Sequence, residues 1–145
     1  MRNTGAFFIC VLTAGLCLGL CGCKDPVSYG NIPDSTINFE VYPYSLDNTL
    51  MPIGNYIYKN AGYIGVFVYH IGYMDEEYVA FEQACPVDWE NGCYVEFDSE
   101  TGYLKGKQCQ NTFSSYNGFG ISVSRYALRK CKITWTNSQC FRVTY

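Results

Sequence analysis

Apolar and polar residues alternate along most of this chain in short runs bounded by turn residues. Ile37, Phe39 and Val41 alternate with Asn38 and Glu40. Tyr63 to His70 is almost wholly apolar, the pattern of a central strand covered on both faces. Val79 and Phe81 sit between Glu77 and Glu82, and Val95 and Phe97 flank Glu96. Ile121 and Val123 follow Gly118 and Gly120 as a further strand. A closing hairpin runs from Leu128 to Trp135, turns near Asn137 and Ser138, and returns through Phe141, Val143 and Tyr145. No stretch holds apolar residues at sustained three-and-four spacing, so no long helix is predicted. Short strands with Gly, Asn, Asp and Ser between them predict an all-β domain, a small antiparallel sandwich or barrel.

The N-terminus follows a different pattern. Met1 and Arg2 precede an apolar run from Ala6 to Leu20, which ends in Leu20-Cys21-Gly22-Cys23. This is a secretory signal closed by the site that a bacterial lipoprotein peptidase cuts. The run is shorter than the roughly 20 residues of a spanning helix. Cys17 and Cys21 follow leucines, whereas Cys23 follows the small residue that cleavage requires. The division is therefore signal peptide 1–22, lipidated N-terminus and tether 23–34, and β domain 35–145. Lipid on Cys23 implies a membrane-anchored protein of the bacterial envelope, at the outer membrane on its periplasmic or surface face. Each buried methylene of a palmitate-type chain adds about 0.8 kcal/mol, and more than one chain makes the anchor stable.

Composition narrows the function. Aromatic residues make up 17% of the chain and tyrosine alone counts 14, which favours strands. Nine acids and no base lie between Asp75 and Glu100, and seven bases and no acid follow Thr101. Neighbouring strands with complementary solvated faces account for this more simply than a bipolar steering surface does. A net charge of −3 argues against nucleic acid as a partner. The single histidine, His70, reads as a strand-end residue at a sheet rim. Without a second histidine or a nucleophile elbow, hydrolytic catalysis finds no footing, and an enzyme is not expected. Glu76 with Glu77 and Asp98 with Glu100 read as solvated turn acids rather than glycosidase pairs. Tyr42, Tyr44, Tyr56, Tyr58, Trp89 and Tyr116 read as sheet core and rim in preference to a face that stacks on sugar rings.

Two cysteine loops interrupt the strand pattern. The first is Cys85-Pro86-Val87-Asp88-Trp89-Glu90-Asn91-Gly92-Cys93, and the second is Gly106-Lys107-Gln108-Cys109-Gln110-Asn111-Thr112-Phe113. Strand, Cys-Pro loop, strand, turn, second cysteine loop and closing hairpin resemble, in that order, the Rieske iron–sulfur domain. The runs Gly62 to Tyr69 and Tyr78 to Pro86 extend the resemblance to degenerate Rieske-like lipoproteins of the Bacteroidetes. In such lipoproteins charged residues directly after the anchor, here Lys24 and Asp25, accompany export to the cell surface.

The resemblance implies cluster ligands at Cys85, Val87, Gly106 and Cys109. Only Cys85 keeps the ligand type, because Val87 and Cys109 stand at the histidine positions and Gly106 at the second cysteine position. Two imidazoles on one iron set a Rieske centre's potential, so a two-iron two-sulfur cluster is disfavoured and no cofactor is expected. A disulfide between the loops is implied instead, joining Cys109 to Cys93 or to Cys85. Unpaired buried thiols are the alternative. A metal held by Cys85, Cys93 and Cys109 lacks an obvious fourth ligand and is not expected. Five cysteines follow Cys23, so at least one has no partner within the domain. Cys131 alternates in phase with Ile133 and Trp135 as a core residue, and Cys140 with Arg142 and Thr144 as an outward one. The expected role is structural or interactive, with an unknown protein or glycan partner. The alternative is redox, through a thiol–disulfide pair or an atypical iron–sulfur cluster.

Overall fold

The computed structural model describes residues 28–72, 76–122 and 124–145. The signal peptide, Cys23 and the tether as far as residue 27 lie outside the described residues. Nine strands form three antiparallel sheets, as the alternation predicts. In chain order they are β1 (Asn38–Val41), β2 (Tyr56–Lys59), β3 (Val66–His70), β4 (Tyr78–Glu82), β5 (Tyr94–Asp98), β6 (Tyr103–Lys107), β7 (Thr112–Ser114), β8 (Lys132–Asn137) and β9 (Cys140–Thr144). The sheets are ordered β1-β9-β8, β2-β3-β4 and β5-β6-β7. No described helix is long and apolar enough to cross a membrane.

The middle sheet lies between the other two because both faces of β3 and β4 are apolar. Phe67, Tyr69, Val79 and Phe81 point to one side and pack with Val95, Leu104 and Phe113 of the β5-β6-β7 sheet. Val66, Val68, Tyr78 and Ala80 point to the other side and pack with Val41, Phe141 and Val143. Every residue of β3 and β4 is buried, which explains the near-continuous apolar run.

Several expectations are corrected. Ile121 lies in a bend and is half-exposed, and Val123 lies outside the described residues. The chain there makes only isolated bridges, Phe113 with Gly120 and Phe119 with Ala127. The second cysteine loop is itself largely strand, since β6 runs through Gly106 and Lys107 and β7 starts at Thr112. Residues 28–34 do not hang free as a tether. Ala127 N–H donates to Ser28 O, and the Arg129 guanidinium donates to Ile32 O at 2.6 Å and Pro33 O at 3.1 Å. Cys140 is buried rather than outward, because the β8–β9 register shifts between Trp135 and Asn137 just before the turn. Trp135, expected in the core with Cys131, is 41% exposed.

The charge segregation resolves in two ways. Lys105 with Asp98, Lys107 with Glu96 and Lys130 with Glu76 are exposed pairs between neighbouring segments, as the solvated-face reading expects. Glu82 and Arg129 depart from that reading, since both are buried and pair at 2.8 Å. The Glu82 carboxylate also accepts from Tyr63 N–H at 2.5 Å and from the Ser35 hydroxyl at 3.1 Å. Arg129 lies 4.7 Å over the Tyr145 ring. These partners offset the cost of burying two charges and tie the N-terminal segment to the central sheet.

Candidate functional site

The two cysteine loops meet where β4 leads into the first and the β6–β7 turn forms the second. Trp89–Asn91 folds as one short 3-10 turn that closes on Gly92, whose left-handed φ of 76° suits glycine. Cys93 then enters β5, with its carbonyl accepting from Cys85 N–H at 3.1 Å. The second loop turns at Gln108, the only described non-glycine residue with positive φ. A Cβ on Gly106 would collide with the Cys109 sulfur, so this strand position must stay bare.

Cys93 and Cys109 form a disulfide with Cα atoms 6.0 Å apart. Cys85 remains a thiol, its Sγ 3.8 Å from that of Cys109. All three sulfurs lie within 4.8 Å of one another. Cys85 and Cys93 are buried and Cys109 is partly covered. Burial pushes the Cys85 thiol above its ordinary range. Backbone N–H groups of Val87 and Asp88 and the Asn111 side chain favour the thiolate, while the Asp88 charge adds to the rise. Asn111 also donates to the Asp88 carboxylate at 3.2 Å.

This arrangement has limited chemistry. Attack on a disulfide runs along the bond that breaks, and a collinear attacker would stand roughly 5.8 Å from the far sulfur. The three sulfurs form a tighter triangle, so Cys85 is a neighbour of the bond rather than an aligned nucleophile. Once reduced, Cys85, Cys93 and Cys109 would be a three-thiolate set suited to a soft metal. The four positions at which the resemblance implies cluster ligands do not fit a cluster. Val87 and Gly106 offer no donor atom, and Cys109 is bonded to Cys93.

The other candidates are dispersed. Tyr56 and Tyr58 pack on Phe67, Trp89 stands edge-on to Tyr63, and Tyr116 meets Tyr69. The Tyr42 hydroxyl donates to Glu40 at 2.5 Å, and Tyr44 is exposed. Glu76 is held by Lys130, and Glu77 stands 3.6 Å from His70 Nε2. His70 is buried at the strand end, with Nδ1 3.1 Å from Leu50 O. Asp98 organises the β5–β6 turn, accepting from Thr101 and from Glu100 N–H. Cys131 and Cys140 are both buried free thiols, and burial pushes Cys131 up to about 12.

Sequence reasoning missed one feature, a cleft of about 510 Å³ between β4 and β8. Exposed Trp135 lines one side, and the Glu76–Lys130 pair sits at its rim. The one available signal was Trp135, an aromatic that the alternation assigns to the core and the structure leaves exposed. Compared with protein-family models, characterised proteins and solved structures, the chain matches none.

Proposed function

We propose that this chain is a lipid-anchored protein of the bacterial envelope, with a Rieske-like β domain that binds a partner instead of a cluster. The observation behind this reading is the sulfur centre. The two loops that would grip a cofactor are joined by Cys93–Cys109, and Cys85 lies buried against the bond. A disulfide persists in an oxidising compartment, which agrees with export through the signal and Cys23. The meeting of the two loops supports the Rieske resemblance. Among the described residues, the single histidine is held between Leu50 O and Glu77, with no nucleophile bonded to it.

Two experiments test the reading. Cys23→Ala should move the protein from the membrane to the soluble fraction, and retention in the membrane would contradict the anchor. Photocrosslinking in intact cells, from a benzoylphenylalanine scanned over the domain surface, should trap a discrete partner. Absence of any specific adduct would contradict the interaction role.

The redox reading rests on the 3.8 Å approach of Cys85 to Cys109. In it, the loops first shift to bring Cys85 into line with the Cys93–Cys109 bond; Cys85 then loses its proton and bonds to Cys109, and Cys93 leaves as a thiolate that takes up the proton. It requires a Cys85–Cys109 bond to be recovered from the native protein.

A further inference from the structure

β4 and β8 begin as neighbours and then part. Glu82 N–H donates to Arg129 O at 2.9 Å, and Cys131 N–H donates to Ala80 O at 2.9 Å. Phe81 and Lys130 form the bridge between those bonds. One step further the ladder stops among the described residues, and the cleft opens between Tyr78 and Val79 on one side and Lys132, Ile133 and Trp135 on the other. β4 ends the β2-β3-β4 sheet, and β8 ends the β1-β9-β8 sheet. Two strand edges therefore face each other across the cleft, with Tyr29 of the N-terminal segment and Glu76 and Glu77 completing the lining.

The phase of the backbone shows what those edges present. His70 N–H donates to Asn55 O, and His70 O accepts from Gly54 N–H, so both groups face β2. His70 is opposite Tyr78, so Tyr78 turns its own N–H and C=O outward into the cleft. On β9, Tyr145 N–H donates to Ile37 O, which makes Asn38 and Thr144 a pair that exchanges no bonds with each other. Thr144 therefore bonds β8 at Lys132, and Ile133 faces away from β9. Cys131 N–H, pointing at Ala80, has the same phase. Ile133 and Trp135 thus direct their backbone groups to the cleft, ahead of the bulge after Trp135.

We infer that this cleft binds an extended peptide segment of a partner protein by strand addition to β8. This rests on the interaction role proposed above and names its site. An unpaired strand edge offers the alternating donors and acceptors that only another backbone matches in register. The Trp135 indole stands edge-on to Tyr78 and Phe141 and gives an apolar side chain of the incoming strand a firm surface. Lys132 is exposed and makes no ion pair among the described residues, so an acidic residue placed across from it is matched in charge.

The test uses full-length protein in detergent micelles and a phage-displayed heptapeptide library. Selected peptides should carry aromatic or β-branched residues at alternate positions, and synthetic copies should bind reversibly. N-methylation of alternate peptide amides should weaken binding at least tenfold in one phase and little in the other. Bound peptide should slow exchange of the Ile133 and Trp135 amides, and Trp135→Ala should weaken binding at least tenfold. Equal loss in both methylation phases, unprotected amides, or no selectable peptide would overturn the inference. So would a chito-oligosaccharide that saturates Trp135 fluorescence while peptides do not bind. A partner trapped in cells through another face would sink this site and leave the interaction role standing.

Discussion

The two ends of β4 are built from the same kind of sequence and meet opposite fates. At its C-terminal end every neighbour is committed. Glu82 holds Arg129, Gln83 donates to Val95 O, and Cys85 abuts the Cys93–Cys109 bond. At its N-terminal end Tyr78 turns backbone groups into a cleft where no backbone partner is found for them among the described residues. The end with three cysteines is the closed one. The end marked by Glu76, Glu77 and His70 is the one that borders open space. The cysteines therefore mark cohesion here, and an interrupted ladder marks accessibility.

The largest effect should come from breaking the closed end. Glu82→Ala strands a buried guanidinium and should destabilise the domain by about 3–5 kcal/mol in urea unfolding. A loss below about 1 kcal/mol would mean that this end is open to water. Replacing Cys93 and Cys109 together by serine should cost about 2–4 kcal/mol, as expected for a bond closing a loop of this length. At the open end, Trp135→Ala should cost only about 1 kcal/mol, because the indole is half-exposed. A cost equal to that of the disulfide would erase the contrast between the two ends.

The smallest effect concerns the β5–β6 hairpin. Lys105, then the Thr101 hydroxyl and Glu100 N–H, hold the Asp98 carboxyl down to about 2. A carboxyl depressed when folded stabilises above its unfolded value near 3.9 and loses that contribution as pH falls toward its folded value. NMR titration of Asp98 should show a midpoint near that depressed value. A midpoint in the ordinary range would mean that the turn is loose.

The sequence made the fold class legible because β3 and β4 are apolar on both faces while the outer strands alternate. It hid β2, whose Tyr56-Ile57-Tyr58 run has no alternation, and β6, whose lysines and glycine imitate a loop. The two loops that meet at Cys93–Cys109 were visible as cysteine runs, but the choice between Cys85 and Cys93 depends on three-dimensional placement. Cys140 was misplaced because strict period-two reasoning fails at a register shift. Apart from Trp135 the cleft left no trace in the sequence, because it arises where hydrogen bonding stops, and no residue type encodes an unmade bond.

The sulfur centre acts as a staple between the two loops. Alkylation of native, unreduced protein followed by denaturation, a second alkylating label and peptide mapping tests it directly. The account predicts a Cys93–Cys109 peptide, with Cys85, Cys131 and Cys140 labelled only after unfolding. A Cys85–Cys109 peptide, or iron and sulfide released with all three cluster cysteines free, would contradict it.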